Sequence, residues 1–565
     1  MKNIRFVAVL LLLSTFNFQL STIRACTNFL VGKKASADGS TIISYAADSY
    51  SLYGFLRYSP AADYPAGATR EVVDWDTGKP LGRIPQVAHT YSVIGNQNEH
   101  QLTIGETTWG GREELEGDQG IDYGSLIYIA LERCKTAREA IRCITTLAST
   151  YGYASSGETF SIGDPNEIWI MDLIGTGKGK NNIVWVATRV PDDMICAHAN
   201  QARITRINFK DKKNWLYSKN VVSFARQKGY FKGKDADFSF QAAYNPFDLS
   251  GLYVCETRVW SFFRHFSGEM DQYYDYATGK RYLEMKQDPS LTEQAINEQM
   301  VQYAMPLFIR PDRKVSAQDI KDCMRDEYQG TPLDITQGTA AGPWNSKLRY
   351  GSLKFELDSA TYWYQRPTAT QQTAWSFVAQ MRNEQMVNGQ MRKCDGILWF
   401  GVDDAACSCY IPFYSRTTVI PEAFREGNGD LYTYTPTSAW WQFNLVANWA
   451  YTKYSRMKPY IAAEQAQFDR YFLSLIPKRD AELASLSAEE AQQKINEYAE
   501  VDVQKVMKTW RGLYTYLTTK FIDGQERKEE DGRFKRNDYG EPASPDRPAY
   551  PDAYLRTITN QTIHE

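Results

Sequence analysis

Short runs of β-branched and aromatic residues, separated by turn signals, recur along the 565-residue chain. Pairs of such runs predict β-hairpins at residues 27–32 with 40–47, 160–163 with 168–171, and 398–402 with 408–412. Residues 126–144 differ, because their apolar side chains recur at three- and four-residue intervals. That period predicts one amphipathic helix of about five turns. Hairpins followed by a long helix predict an α+β fold of layered antiparallel sheets covered by helices.

The pattern becomes helical from about residue 438 to the C-terminal region. Ser487 and Glu490 form a capping-box sequence that opens one of these helices. Residues 524–551 are charged and proline-rich, which predicts a tail that lies loosely on the surface. The predicted organisation is a short N-terminal segment (1–25), a large domain with the hairpins (26–437), and a helical region with a charged tail (438–565).

Composition excludes some classes of function. The net charge is -3 with acids and bases interspersed, so no basic stripe for a nucleic-acid partner is present. Hydrophobic residues make up 43% and charged residues 23% of the chain, as in globular proteins. The 37 Tyr and 14 Trp fit a large aromatic core, or a surface that binds sugars or peptides.

The N-terminus predicts export. Lys2 and Arg5 precede an apolar run at residues 6–13. This run is shorter than the roughly 20 apolar residues that a membrane-spanning helix needs, and it matches a secretory signal. We therefore expect cleavage after Ala25 and a secreted or periplasmic protein without stable membrane insertion.

The cysteine pattern points to a thiol rather than a metal site. Nine cysteines are present, and an odd number in an exported protein leaves at least one unpaired. Cys-x-x-Cys pairs, the His-Glu-x-x-His signature, the Gly-x-Ser-x-Gly elbow and phosphate-binding glycine loops are all missing from the sequence. We therefore expect no metal or organic cofactor.

Cys26 directly follows Ala25, so cleavage would give it a free α-amine. The amine titrates near pH 7.7–8.0 and the thiol near 8.5, so one residue can supply a nucleophile and its base. The chemistry indicated is acyl transfer through a thioester. If the first hairpin turns near residue 37, Asp48 lies opposite Cys26, within a slip of one or two residues.

Two other interpretations of Cys26 are open. A lipidated cysteine would also follow a signal, but Arg24 stands where a lipid-attachment motif has a small residue. Cys26 could also be an ordinary thiol in the first strand.

Several blocks resemble the dipeptidase A-like cysteine peptidases, distant relatives of choloylglycine hydrolase and penicillin V acylase. The blocks are CTNFLVGKKASADGST (26–41), IGNQNEHQLTIGETT (94–108), GDPNEIW (163–169), HANQARI (198–204) and WFGVDD (399–404), with weaker similarity at 331–341 and 370–382. The resemblance covers most of residues 26 to about 450.

The resemblance implies the four-layer αββα fold of N-terminal-nucleophile hydrolases and the hydrolysis of dipeptides, without a cofactor. It implies that Cys26 is the nucleophile and that Asp48 holds the N-terminal amine. It also implies that Asn200 contributes to the oxyanion hole and that Arg258 favours the thiolate.

Two departures from the family pattern concern the site. Relatives often carry Arg-Asn-Glu-Asp where this chain has Tyr45, Ala46, Ala47 and Asp48, so a cation beside the thiol is missing. Glu106, Thr107 and Thr108 occupy a block where the distant acylases place an asparagine. We assign these three residues to substrate binding, with Glu106 as the partner of a dipeptide's ammonium or, alternatively, of a neighbouring arginine such as Arg112.

Other interpretations of the chain are also open. His198 could pair with Cys26 as in papain-like enzymes, although a lone histidine is more often structural. The same machinery could cleave N-acylated amides, such as penicillin V or bile-acid conjugates. From another class, a glycan-binding surface lipoprotein fits the aromatic content. The sequence is also compatible with a homo-oligomer.

Overall fold

The computed structural model describes residues 26–180, 182–387 and 390–561, so the predicted signal peptide lies outside the described residues. In chain order the strands are β1 (Asn28–Val31), β2 (Thr41–Asp48), β3 (Tyr58–Ser59), β4 (Ala62–Asp63), β5 (Thr69–Val73), β6 (Pro80–Pro85), β7 (His89–Thr90), β8 (Val93–Ile94), β9 (Gln97–Asn98), β10 (Thr103–Trp109), β11 (Gly157–Gly163), β12 (Ile168–Gly175), β13 (Ile183–Arg189), β14 (Ile195–His198), β15 (Trp215–Tyr217), β16 (Phe308–Ile309), β17 (Lys354–Leu357), β18 (Ala360–Trp363), β19 (Thr373–Met381), β20 (Glu384–Val387), β21 (Gln390–Lys393), β22 (Ile397–Val402), β23 (Ile411–Tyr414), β24 (Glu529–Glu530) and β25 (Arg533–Phe534).

The helices complete a mixed composition. They are α1 (Tyr123–Arg133), α2 (Ala137–Tyr151), α3 (Val221–Lys228), α4 (Phe240–Tyr244), α5 (Thr257–Arg264), α6 (Tyr274–Ala277), α7 (Lys280–Lys286), α8 (Glu293–Tyr303), α9 (Ala317–Met324), α10 (Ala439–Tyr451), α11 (Tyr454–Leu483), α12 (Ala488–Lys520) and α13 (Asp552–Ile558). A π-helical segment, Gly251–Glu256, leads directly into α5. The predicted α+β class is confirmed.

Two large sheets organise the fold. The seven-stranded sheet has the order β16-β14-β1-β2-β19-β22-β23, and the eight-stranded sheet has the order β15-β13-β12-β11-β10-β9-β8-β3. The predicted hairpins are confirmed as the antiparallel pairs β1–β2, β11–β12 and β22–β23. Almost every residue of these strands is buried, because both faces of each sheet are covered.

The sheets face each other, and helices lie outside them. Strand β2 packs against β10 and β11 across the space between the sheets. Helices α1 and α2 cover the eight-stranded sheet and share a second apolar core with it. Helix α9 packs on β2 and β19, while α10 and α12 pack on β22 and β23. The first strand therefore begins between two buried layers.

The predicted five-turn helix at 126–144 is wrong in one respect, because the structure has two helices there. Cys134 ends α1 in an extended conformation, and Thr136 opens α2 with a capping box to Glu139. The apolar period continues across the break because both helices rest on the same sheet. The cap residues, not the apolar pattern, mark the interruption.

The C-terminal helices are part of the same core. The capping box of Ser487 and Glu490 is confirmed at the start of α12. Apolar side chains of α10, α11 and α12 join the cluster that fills the space around the seven-stranded sheet. The boundary at 437/438 stays a prediction. Within the described residues, no helix combines the length and apolarity that a membrane crossing requires.

Candidate active site

Cys26 lies immediately before β1, in a position that the first hairpin fixes. The register pairs Leu30 with Ile43 and bridges Thr27 to Ala46, so Cys26 falls opposite Ala47. This is one residue from the predicted partner, Asp48, and within the slip that we allowed. The residue is buried, with 5% of its surface exposed, and its sulfur is a free thiol.

Two side chains, Tyr45 and Glu106, contact the Cys26 sulfur. The sulfur lies 3.3 Å from Glu106 Oε1 and 3.7 Å from Tyr45 Oη. The Tyr45 hydroxyl in turn donates to the same carboxylate oxygen at 2.6 Å. The other oxygen, Glu106 Oε2, is buried and has no hydrogen-bond partner among the described residues. One carboxylate oxygen is therefore held beside the sulfur, and the hydrogen-bonding capacity of the second is not used within the described residues.

Gly105 allows this close approach of the two sheets. A Cβ atom at Gly105 would lie 2.3 Å from Asn28 Oδ1 and 3.3 Å from Tyr45 Cβ. The Asn28 amide donates to the Glu106 carbonyl at 2.6 Å, which ties the start of β1 to β10. The missing side chain thus brings Glu106 to the thiol.

The environment disfavours the thiolate in the chain as it stands. Burial raises the pKa of Cys26 well above its ordinary value, and the charges of Glu106 and Asp48 raise it further. A hydrogen bond from the Asp48 backbone N–H and the hydrogen bond between the Cys26 thiol and the Tyr45 oxygen lower this pKa. A nearby positive charge would be needed to make the thiolate accessible near neutral pH.

Asp48 ends β2 and is fully enclosed. Arg366 donates to Asp48 Oδ2 at 2.9 Å, and the Thr373 hydroxyl donates to Oδ1 at 2.7 Å. Burial raises the pKa of Asp48, an effect that the positive charge of Arg366 opposes. Asp48 thus touches the nucleophile through its backbone, while its carboxylate is bonded to partners on the neighbouring strand and loop.

Arg258 and Asn200 form a second arm of the site. Arg258 donates to the Cys26 carbonyl at 2.7 Å, to Thr27 Oγ1 at 2.8 Å and to Asn200 Oδ1 at 3.0 Å. The Asn200 amide donates to the Thr108 carbonyl at 2.6 Å. Asn200 has a φ of 52°, a left-handed conformation that asparagine adopts more readily than most residues.

Arg258 therefore bonds to the backbone of Cys26 rather than to its sulfur. Its guanidinium holds the first residue of the folded chain and orients the Asn200 amide. Its predicted effect on the thiolate stays a prediction, as does the oxyanion role of Asn200.

The remaining predicted residues lie farther from the sulfur. Thr107 Oγ1 is 2.7 Å from His198 Nδ1, whose other ring nitrogen lies 2.6 Å from Ser161 Oγ. Thr108 Oγ1 donates to Glu158 at 3.0 Å. Both His198 nitrogens are thus engaged away from Cys26, and burial lowers the pKa of this histidine well below its usual value. The substrate-binding roles of Thr107 and Thr108 stay predictions.

A cavity of about 1380 Å³ adjoins this arm of the site. Thr108 and Asn200 line it, together with residues that follow β10 and α4 and residues of α8. Cys26 and Glu106 do not line this cavity, but both are linked to its wall: Arg258 bonds to Cys26 and Asn200, and Glu106 lies two residues before Thr108. The volume is ample for a small peptide.

Sequence reasoning did not single out Tyr45, Arg366 or Thr373 as site residues. Tyr45 could have been found, because it is the diagonal cross-strand neighbour of Cys26 in the hairpin, within reach of a long side chain. Arg366 and Thr373 lie more than 300 positions from Asp48 in sequence, and no local pattern marks them.

Comparisons with known proteins identify the family of this chain. The profile of Peptidase family C69 matches residues 25–467. A "Probable dipeptidase" from Latilactobacillus sakei is 24% identical over 422 residues, covering 71% of this chain and 76% of the relative. A "Probable dipeptidase A" from Streptococcus pyogenes is 22% identical over 516 residues, covering 86% and 94%. The "Dipeptidase A" of Lactobacillus helveticus is 23% identical over 499 residues, covering 83% and 91%.

The profile begins one residue before Cys26 and continues into α11, so it spans both large sheets and the elements that carry the site. The resemblance to dipeptidase A-like cysteine peptidases is therefore confirmed, and the chain belongs to peptidase family C69 as a cysteine-type peptidase.

Proposed function

We propose that this protein is an exported cysteine dipeptidase that uses Cys26 as an N-terminal nucleophile. The relatives named as dipeptidases support the substrate class. The observation that carries the proposal is the 3.3 Å contact between the Cys26 sulfur and the Glu106 carboxylate, whose other oxygen has no hydrogen-bond partner in the part of the chain that the structure describes.

The contact explains why a free dipeptide fits. In a dipeptide the α-ammonium nitrogen is two bonds, about 2.5 Å, from the scissile carbonyl carbon. An attacking sulfur stands about 3–3.5 Å from that carbon in a productive complex. A carboxylate beside the sulfur is therefore within hydrogen-bonding reach of the ammonium. A blocked amine would leave Glu106 Oε2 buried without a partner, which is unfavourable.

The reaction proceeds by acyl transfer. The Cys26 sulfur attacks the peptide carbonyl carbon while its own α-amine takes the thiol proton. The same nitrogen then gives the proton to the leaving amine as the peptide bond breaks, and a thioester remains. Water adds to the thioester carbonyl, and its proton returns through the amine to the departing sulfur.

The neighbouring residues assist these steps. The Asp48 backbone N–H stabilises the sulfur anion, and its carboxylate supplies negative charge for the adjacent ammonium. Asn200 lines the cavity and is oriented by its bonds to Arg258 and Thr108, and its amide stabilises the oxyanion. The charge of Glu106 raises the pKa of the Cys26 thiol, so a substrate ammonium that cancels this charge favours the thiolate.

The fold and the location belong to the same proposal. Two facing antiparallel sheets with helices on both outer sides, and a nucleophile at the start of β1, support an N-terminal-nucleophile hydrolase fold. The positive and apolar segment before Cys26 supports export with cleavage after Ala25. Cleavage converts the Cys26 amide nitrogen to an amine and thereby creates the base.

The proposal is tested on the secreted protein. Mass spectrometry of the mature chain should find an unmodified Cys26 at its N-terminus, and this form should hydrolyse Ala-Leu. A variant that keeps one Met before Cys26 should lose activity, because its nitrogen is tied up as an amide. The activity of the Cys26→Ser variant should be lower by about three orders of magnitude, because an alcohol is a far weaker acid than a thiol. Normal turnover by the Met-extended variant would contradict the mechanism.

The substrate class is tested separately. Ala-Leu should be cleaved at least about 100-fold faster than N-acetyl-Ala-Leu, because the acetylated substrate lacks the ammonium that Glu106 binds. The reverse preference would favour the related acylase activity, and a lipid on Cys26 without turnover would favour a surface binding protein.

A further inference from the structure

The cavity next to Asn200 has an excess of negative charge. Eight Asp and Glu side chains line it within the described part of the chain, against three Lys and Arg side chains. Two of those three cationic side chains, Arg112 and Arg206, are already in contact with other groups of the protein. Arg112 donates to the Ala243 carbonyl at 2.6 Å and lies over the Tyr230 ring, and Arg206 is 3.9 Å from Asp237. Carboxylates in a concave wall reinforce one another's attraction for a cation.

Asp248 is the carboxylate that best fits a ligand role. It lies in the cavity wall just before the π-helical segment that leads to Arg258. The Gly251 N–H donates to its Oδ1 at 2.6 Å, which fixes the side chain. Among the described residues, no Lys or Arg nitrogen forms an ion pair with it. Its charge is thus oriented and available to a ligand.

Asn245 gives an independent sign of a bound molecule. Its side chain is 5% exposed and lines the same cavity, yet its Nδ2 has no hydrogen-bond partner among the described residues. A buried amide donor without a partner is unfavourable unless a ligand accepts its hydrogen bond. The acceptor that fits is a carbonyl or carboxylate oxygen.

The position of the cavity identifies the part of the substrate that enters it. Under the proposed function, Glu106 anchors the ammonium end, and Glu106 is not part of the cavity wall. Asn200 stands at the scissile carbonyl and is part of the wall. The chain beyond the scissile bond, which is the leaving residue, therefore extends past Asn200 into the cavity.

We infer that the cavity selects dipeptides whose leaving residue has a cationic side chain, with Asp248 facing that cation and Asn245 donating to the leaving residue's carboxylate. This inference rests on the proposed function and adds the substrate class. Dipeptides that end in lysine or arginine are the preferred substrates, and dipeptides that end in an acidic residue are the poorest.

The test compares three substrates on the mature enzyme: Ala-Lys, Ala-Leu and Ala-Glu. We expect kcat/KM to fall in that order by about tenfold at each step at low salt. Raising the ionic strength to about 0.5 M should compress the ratios, because salt screens the carboxylates. Equal rates on Ala-Lys and Ala-Glu, with Cys26-dependent cleavage of Ala-Leu intact, would overturn this inference and leave the proposed function standing.

Variants separate the two residues. Asp248→Asn should lower the Ala-Lys to Ala-Leu ratio several-fold, whereas Asp538→Asn, the same change on the exposed tail, should leave it unchanged. Asn245→Ala should lower kcat/KM for all three substrates by a similar factor, because they share the carboxylate. An unchanged ratio in Asp248→Asn would contradict its role. Failure of all three substrates on the wild-type enzyme would overturn the proposed function and this inference together.

Discussion

Two buried carboxylates flank Cys26, and they are held in different ways. Asp48 and Glu106 are 1% and 2% exposed. Asp48 has a charged partner and a hydroxyl partner, one on each oxygen. Glu106 has only neutral donors, the Tyr45 hydroxyl and the Cys26 thiol, on one oxygen and none on the other among the described residues.

The comparison indicates that one carboxylate belongs to the framework of the fold and that the other is suited to bind a ligand. A buried carboxylate with its own cation is already compensated, and removing either partner leaves an uncompensated charge. A buried carboxylate without a cation is costly to keep ionised unless a ligand supplies one. The Asp48 carboxylate is therefore part of the framework beside the thiol, while the Glu106 carboxylate is suited to bind a cation.

The largest effect is expected from Asp48→Asn. Loss of the negative charge breaks the buried ion pair with Arg366, so the free energy of unfolding should fall by about 3–5 kcal/mol. Turnover of Ala-Leu should also be lost at temperatures where the variant is folded, because the carboxylate no longer supplies charge beside the amine. Chemical denaturation and steady-state kinetics measure the two effects.

Asp502→Asn is the matched control for that variant. Asp502 forms a buried pair with Arg479 through two hydrogen bonds of 2.6 and 2.8 Å, between α12 and α11. The Asp502→Asn variant should lose a similar amount of its free energy of unfolding, while the folded enzyme keeps its activity. If Asp48→Asn also kept full activity when folded, its role would be structural alone.

A smaller effect is expected from Glu106→Gln. The substitution keeps the shape and removes the charge, so kcat/KM on Ala-Leu should fall by about 100-fold through loss of the charge-assisted hydrogen bond. Stability should not fall, because no described cation depends on Glu106. N-acetyl-Ala-Leu should show no such loss, since it has no ammonium. An equal loss on both substrates would mean that Glu106 acts on the thiol and not on the substrate.

The smallest effect is expected from Tyr45→Phe. Tyr45 donates to Glu106 and its oxygen lies 3.7 Å from the Cys26 sulfur, and this contact with the thiol lowers the pKa of Cys26. Removing the hydroxyl should raise that pKa, so the acidic limb of the profile of kcat/KM against pH should move to higher pH. The loss at the optimum should be a few-fold, in line with one neutral hydrogen bond. A shift toward lower pH would contradict this assignment.

The sequence could predict the parts of the fold that depend on local signals. Turn residues between β-rich runs located the hairpins, and Ser487 with Glu490 located the start of α12. The apolar period alone missed the break at Cys134, because two helices on one sheet share one apolar face. Cap residues were the signal there, and they outweigh a continuous period.

The site was predictable only where its members are close in sequence or match a motif. The hairpin register brought Cys26 to within one residue of Asp48, and it could also have identified Tyr45. Arg366 and Thr373 reach Asp48 through the pairing of β2 with β19, a long-range contact that no local pattern specifies. Whether a cation pairs with Glu106 likewise depends on which side chains pack around it, and the sequence does not specify that packing.

The bare backbone at Gly105 sets the spacing between sulfur and acid. A single methyl group there would act as a wedge between the sheets, because Asn28 Oδ1 lies only 2.3 Å from the place where it would stand. The distance between the Cys26 sulfur and the Glu106 carboxylate therefore depends on the absence of a side chain at residue 105. Among relatives, the identity of this one position is a gauge of whether the acid can still reach the thiol.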